Sequence, residues 1–168
     1  MIKNLNKLEV RIVSYDDANL THKKSFYELN SAWIEKFFEL EPVDIQVLSN
    51  PKLEILDKGG YVFLALLEET VVGTVALSPT CKNEYELHKF AVSDEFQGLK
   101  IGHHLMTYTL DFANKLNAKN IYLICNTSLL PALNLYRKFG FKDSDIHLNS
   151  KYERGDISLE LNLDSYNS

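Results

Sequence analysis

The chain has 168 residues, of which 45% are hydrophobic and 24% charged, with a formal net charge of −5. That length suits one domain burying roughly 68–70% of its unfolded surface, and the composition excludes disordered and fibrous classes. No apolar run approaches the ~18 residues that span a bilayer, and the N-terminus lacks a signal-peptide core. A cytoplasmic protein with no membrane partner is expected. The acidic balance repels a phosphate backbone and argues against nucleic acid. Cys81 and Cys125 fit neither a disulfide framework nor a metal-ligand spacing, so no metal is expected.

In chain order, Leu8 to Val13 reads as a first strand, with Asp16 or Asp17 placed to cap the next element. From Ser25, the residues Phe26, Leu29, Trp33, Ile34, Phe37 and Phe38 recur at three- and four-residue steps, which predicts an amphipathic helix. Pro42 breaks that pattern. Val43 to Leu48 opens a second short helix that ends near Asn50-Pro51, and another apolar stretch runs to Gly59-Gly60. Tyr61 to Leu67 and Val71 to Leu77 flank Glu68-Glu69-Thr70 and predict an antiparallel hairpin, with Tyr85 to Val92 as the next strand. Helical spacing of Ile101, Leu105, Tyr108, Phe112 and Leu116 leads to a short buried strand over Ile121 to Cys125. Ser128 to Phe139 reads as a helix, with Pro131 in its first turn and Gly140 as its stop. Ile157, Leu159, Leu161 and Leu163 alternate with polar residues, the pattern of a half-buried final strand.

The stretch from Glu84 to Val92 carries the chemistry. It enters a turn and leaves through Gln97-Gly98-Leu99-Lys100-Ile101-Gly102-His103 as a helix start. The first turn of a helix has backbone N–H groups without intrahelical partners, and such groups hold anions, phosphates above all. Downstream, Ala132-Leu133-Asn134-Leu135-Tyr136-Arg137-Lys138-Phe139-Gly140-Phe141 supplies a helix with a tyrosine near its end. On its own such a tyrosine reads as a side chain packed between helix and sheet. Glu84, Glu86 and His88 share one strand face by the period-two count, either as site groups or as solvated strand charges.

Together these segments resemble the acyl-coenzyme A site of the GNAT N-acetyltransferases, whose loop pattern is Gln/Arg-x-x-Gly-x-Gly/Ala. Gln97 and Gly102 match it, while Lys100 replaces the central glycine. The resemblance implies an α/β (α+β) fold in one domain over 1–168, with its cofactor-binding core at about 84–141. That fold is a mixed, mostly antiparallel twisted sheet flanked by helices, with splayed fourth and fifth strands. It implies acetyl-coenzyme A as cosubstrate, with the pyrophosphate held by residues from Gln97 through Gly98, Leu99, Lys100, Ile101 and Gly102 to His103. Phe90, Ala91 and Val92 would pair with pantetheine, and Asn126 and Tyr136 would lie near the cofactor. Tyr136 would be the acid and Glu86 the base, with Glu84 as substitute. Trp33, Phe37, Glu41 and Asp44 would wall the acceptor pocket beside Glu84 and His88, favouring a cationic amine of a small molecule or peptide. The expected assembly is a monomer or homodimer. An acyl-coenzyme A-binding sensor without turnover is the rival reading.

Overall fold

The computed structural model describes residues 9–96, 98–145 and 152–167. Strand β1 (Val10–Ser14) is followed by helix α1 (Leu20–Phe37), then by α2 (Pro42–Ser49) and α3 (Pro51–Glu54). Strands β2 (Tyr61–Leu67), β3 (Thr70–Cys81) and β4 (Glu84–Val92) form an antiparallel meander. Helix α4 (Ile101–Lys115) crosses to β5 (Asn120–Cys125), and α5 (Leu130–Lys138) precedes β6 (Lys142–Ser144), β7 (Ile157–Asn162) and α6 (Leu163–Tyr166). The seven strands lie in the order β1-β2-β3-β4-β5-β7-β6, and β4 with β5 is the parallel pair. This is the mixed sheet expected. Among the described residues no helix is long and apolar enough to cross a membrane.

Helix α1 starts five residues earlier than the apolar spacing predicts, and neither Asp16 nor Asp17 caps it. Asn19 does so, accepting hydrogen bonds from the N–H groups of Thr21 at 3.0 Å and His22 at 3.2 Å. Its first turn is solvated, so no apolar period marks it. The last strand ends at Asn162 rather than Leu163, because the Asn162 side chain caps α6 through Asp164 N–H at 2.9 Å. Leu163 is buried all the same, from the helix.

The sheet separates two apolar layers. One face carries α4 and α5 with Leu105, Met106, Leu110, Leu133 and Phe141; the other carries α1 and α2 with Phe26, Ile34, Val47 and Leu48. Gly73 in β3 sets how closely α4 can lie, since a Cβ there would sit 2.8 Å from Leu105 Cδ1 and 3.0 Å from Ile101 Cγ2. The start of α4 is thereby pressed onto the sheet beside the end of β4.

Candidate active site

Strand β4 changes face midway. Ala76 is opposite His88 and Thr74 opposite Ala91, so Lys89 and Phe90 together face Val75, which is a β-bulge. Lys89 occupies it with φ +52°. Before the bulge Tyr85 and Leu87 pack on the α4 layer; after it Phe90 and Val92 do. The conformation is pinned from below: Thr74 Oγ1 donates to the Lys89 carbonyl at 2.8 Å, and Asn30 Nδ2 donates to Thr74 Oγ1 at 3.0 Å and to the Phe26 carbonyl at 2.9 Å. Asn30 and Thr74 are both buried.

The parallel ladder between β4 and β5 is confined to Glu84–Glu86 against Asn120–Tyr122. Beyond that point β5 pairs only with β7 among the described residues, and a cleft of about 100 Å³ opens between the strands. Glu86 to Phe90 line one wall, Leu123 to Asn126 the other, with Tyr136 from α5, Trp33 and Ile34 from α1 and Phe38 just past its end also lining it. Phe90, Ala91 and Val92 continue that edge without a β5 partner in the ladder, so an extended polar chain could add there as a strand would.

At the far end, Lys100 is the N-cap of α4 in the left-handed conformation, φ +55° and ψ 34°, and provides no side-chain cap. Gly98 has φ +83°. The Lys100 side chain is exposed and makes no capping bond to the first turn. A Cβ on Gly102 would meet Leu135 and the Phe90 ring at 3.4 Å, which places this turn directly against the β4 edge. Leu99 packs on the core, Ile101 is buried, and His103 stands exposed with its ring 5.0 Å from that of Phe139. Gln97 lies outside the described residues. A diverging strand edge that ends on an uncapped helix start fits coenzyme A, whose pantetheine is a chain of amides and whose pyrophosphate is an anion.

Tyr136 is buried, its ring edge-on to Phe90 and to Phe141 with centroids 6.1 Å away in each case. Burial, with a smaller contribution from Cys125, pushes its phenol well above the ordinary tyrosine value, so it keeps its proton. The neighbouring Cys125 thiol is likewise pushed up by burial. Glu86 lines the cleft and accepts a long 3.5 Å hydrogen bond from Tyr122 Oη. Burial first, then the Glu86 charge, push Tyr122 up to about 12. His88 also lines the cleft, with Nε2 2.7 Å from Ser78 Oγ. Asn126 does too, while forming a turn: Oδ1 accepts from Ser128 N–H at 2.8 Å and Nδ2 donates to the Arg154 carbonyl at 2.8 Å.

Glu84 does not join them. It sits in the paired part of β4, and its Oε1 accepts from Thr80 Oγ1 at 3.1 Å and from the exposed Cys81 thiol at 3.4 Å. Phe37 is 49% exposed and packs on Trp33 outside the cleft lining, because the helix turns it past the edge of the sheet. Glu41 and Asp44 are occupied by cations. Arg154 reaches Asp44 through both terminal nitrogens at 2.7 Å and Glu41 Oε2 at 2.8 Å, and Lys89 Nζ is 3.6 Å from Asp44 Oδ1. Two carboxylates against two cations leave no net charge there to attract an ammonium. Lys89, Tyr152 and Arg154 line the cleft, and sequence patterns give no hint of them. A lysine within Leu87-His88-Lys89-Phe90-Ala91 is the one visible irregularity.

A mixed α/β sheet whose parallel pair parts above a tyrosine and a glutamate, next to an uncapped helix start, defines an acyl-coenzyme A-binding fold. The chain belongs to the GNAT acetyltransferase family, whose model matches residues 23–141. It is 32% identical over 104 residues to an uncharacterized N-acetyltransferase of Schizosaccharomyces pombe, a match covering 58% of this chain and 61% of that protein. The chain thus spans about three fifths of that relative's length. The fold is shared with a GNAT acetyltransferase of Staphylococcus aureus Mu50, with TM-score 0.81, 22% identity, and coverage of 92% of this chain and 99% of that one. It is also shared with the PaiA N-acetyltransferase of Thermoplasma acidophilum in complex with coenzyme A, with TM-score 0.70, 19% identity and coverage of 92% and 99%.

Proposed function

We propose that the chain is an acetyl-coenzyme A-dependent N-acetyltransferase acting on a primary amine of a small molecule or peptide by direct transfer. The observation that carries this is the parting of β4 from β5 just past the Glu86–Tyr122 pair, which opens one cleft to both Glu86 and Tyr136. Acetyl-coenzyme A, when bound, supplies an activated acyl group on a thiol. The protein's own groups do the rest. The β4 edge from Phe90 to Val92 and the first-turn amides of α4 hold and orient the carrier. Glu86 receives, directly or through water, the proton that the attacking ammonium must lose. Backbone N–H groups of β4 face the developing oxyanion, and Tyr136 supplies the proton that the departing sulfur gains. Tyr136 holds its proton tightly, but a thiolate leaving into the same buried space is also a stronger base than in water, as the raised Cys125 thiol illustrates. Neither cysteine is needed as a covalent carrier.

Coenzyme A titration by calorimetry, with wild type and Gly102→Asp, tests this reading. The aspartate would bring a side chain and a negative charge to the α4 turn, and affinity is expected to fall at least tenfold, about 1.4 kcal/mol. Unchanged binding by a folded variant would contradict the loop's role. Binding without any amine-dependent thiol release would support the sensor reading instead.

A further inference from the structure

Asp44 is fully buried, yet it is the meeting point of groups from three parts of the chain. Its Oδ2 accepts from the Glu41 N–H at 2.9 Å and from Arg154 at 2.7 Å, and its Oδ1 takes the other Arg154 nitrogen and Lys89. Glu41 adds a second grip on the same segment, accepting from the Glu153 N–H at 3.1 Å. Lys89 Nζ donates to Tyr152 Oη at 2.8 Å, and the Arg154 guanidinium lies 4.5 Å from the Tyr152 ring centroid. The Lys89, Tyr152 and Arg154 side chains line the cleft, whereas Asp44 does not.

A buried ion cluster of this kind is a poor device for stability alone, since well-packed apolar side chains of equal volume do as well or better. It also holds a lysine at a positive φ in the strand that bears Glu86, a backbone strain of the sort found at functional sites. Burial together with the Asp44 and Glu86 charges keeps the Tyr152 phenol neutral. The carboxyl of Asp44 is pushed up by burial but held below its ordinary value overall by the Arg154 hydrogen bonds, the Glu41 N–H and the two cations, so Asp44 stays ionised at neutral pH.

We infer that Asp44 is a positioning residue for acceptor binding, acting through Arg154 and Lys89 to fix Tyr152 and the part of the cleft wall it forms. This rests on the acetyltransferase reading above. Asp44 does not touch the acceptor; it sets the wall that does. The effect should therefore appear in the acceptor's KM and not in the carrier's affinity, because none of Asp44, Lys89, Tyr152 and Arg154 belongs to the α4 turn or to the Phe90–Val92 edge on which the carrier reading rests.

The experiment measures thiol release from acetyl-coenzyme A with spermidine, kanamycin, L-lysine and tyramine, alongside coenzyme A calorimetry, for wild type, Asp44→Asn, Arg154→Gln, their double variant and Tyr152→Phe. Asp44→Asn and Arg154→Gln are each expected to raise the KM of the best amine at least tenfold with coenzyme A affinity within twofold. The double variant should be no more than about twofold worse than the poorer single, since both act on one wall. If Asp44→Asn fails to fold, Arg154→Gln and Tyr152→Phe carry the same expectation. Unchanged acceptor KM, multiplicative effects in the double variant, or a parallel loss of coenzyme A affinity would each overturn the inference while leaving the transferase reading intact. No coenzyme A binding, or no turnover with any of the amines, would overturn both.

Discussion

Tyr136 and Glu86 face one cleft from different elements, and the proposed reaction gives them different tasks. A phenol held neutral by burial can only donate, so Tyr136→Phe should lower kcat by about 100-fold with little change in coenzyme A affinity. Stopped-flow or steady-state thiol release checks this, and a wild-type kcat would leave Tyr136 as packing against Phe90 and Phe141. Glu86→Gln removes the proposed proton acceptor, so its rate should track the fraction of amine already neutral and rise with pH where the wild-type rate has levelled. Part of the site is legible in the sequence at the level of single residues. Glu86, His88 and Tyr136 stand where strand period and the helix stop at Gly140 put them. Arg154 is not legible, since it meets Asp44 across 110 residues and no local pattern encodes that encounter.

Elements set the geometry in which those residues act. Thr74 fixes the β4 bulge through the Lys89 carbonyl, so Thr74→Val should cost about 1–3 kcal/mol and reduce kcat more than coenzyme A affinity, as read by thermal melts and kinetics. Lys100 occupies a left-handed N-cap where the family pattern has glycine. Lys100→Gly relieves roughly 1–2 kcal/mol of backbone strain against about 0.5–1 kcal/mol of added chain entropy, so the melting temperature should rise by a few degrees. A fall would mean that the lysine side chain makes a compensating contact. Helices α4 and α5 are readable because each buries one face, which periodicity records, and the hairpin of β2 and β3 because it is buried on both faces and so reads as two continuous apolar runs around a polar turn. The bulge escapes because one extra residue reverses the faces without altering composition. β6 escapes because Lys142–Ser144 is a three-residue polar edge with no apolar partner to alternate with.

Across the whole molecule, ionisation should bound the stable range from both sides. Asp44 has a folded pKa below its unfolded one, so its stabilisation is complete above about pH 4 and is lost as pH falls through the folded value. Tyr122, Tyr136 and Tyr152 have folded values above the unfolded one, so their contribution is complete below about pH 10 and is lost as pH rises through the folded values. Melting temperature against pH should therefore show a plateau with an acid limb and an alkaline limb, and Asp44→Asn should flatten the acid limb alone. An acid limb unchanged in that variant would place the acid sensitivity in other carboxylates. The two apolar layers and the parted sheet hold together the α4 turn, proposed for the carrier, and the cleft lined by α1 and Tyr152, proposed for the acceptor. The central claim, that the cleft between them transfers acetyl groups, is tested most directly by mass spectrometry of amines incubated with acetyl-coenzyme A and the protein. An acetylated amine formed in step with free coenzyme A thiol is the predicted result; tight coenzyme A binding with no acetylated amine from any acceptor class would contradict it.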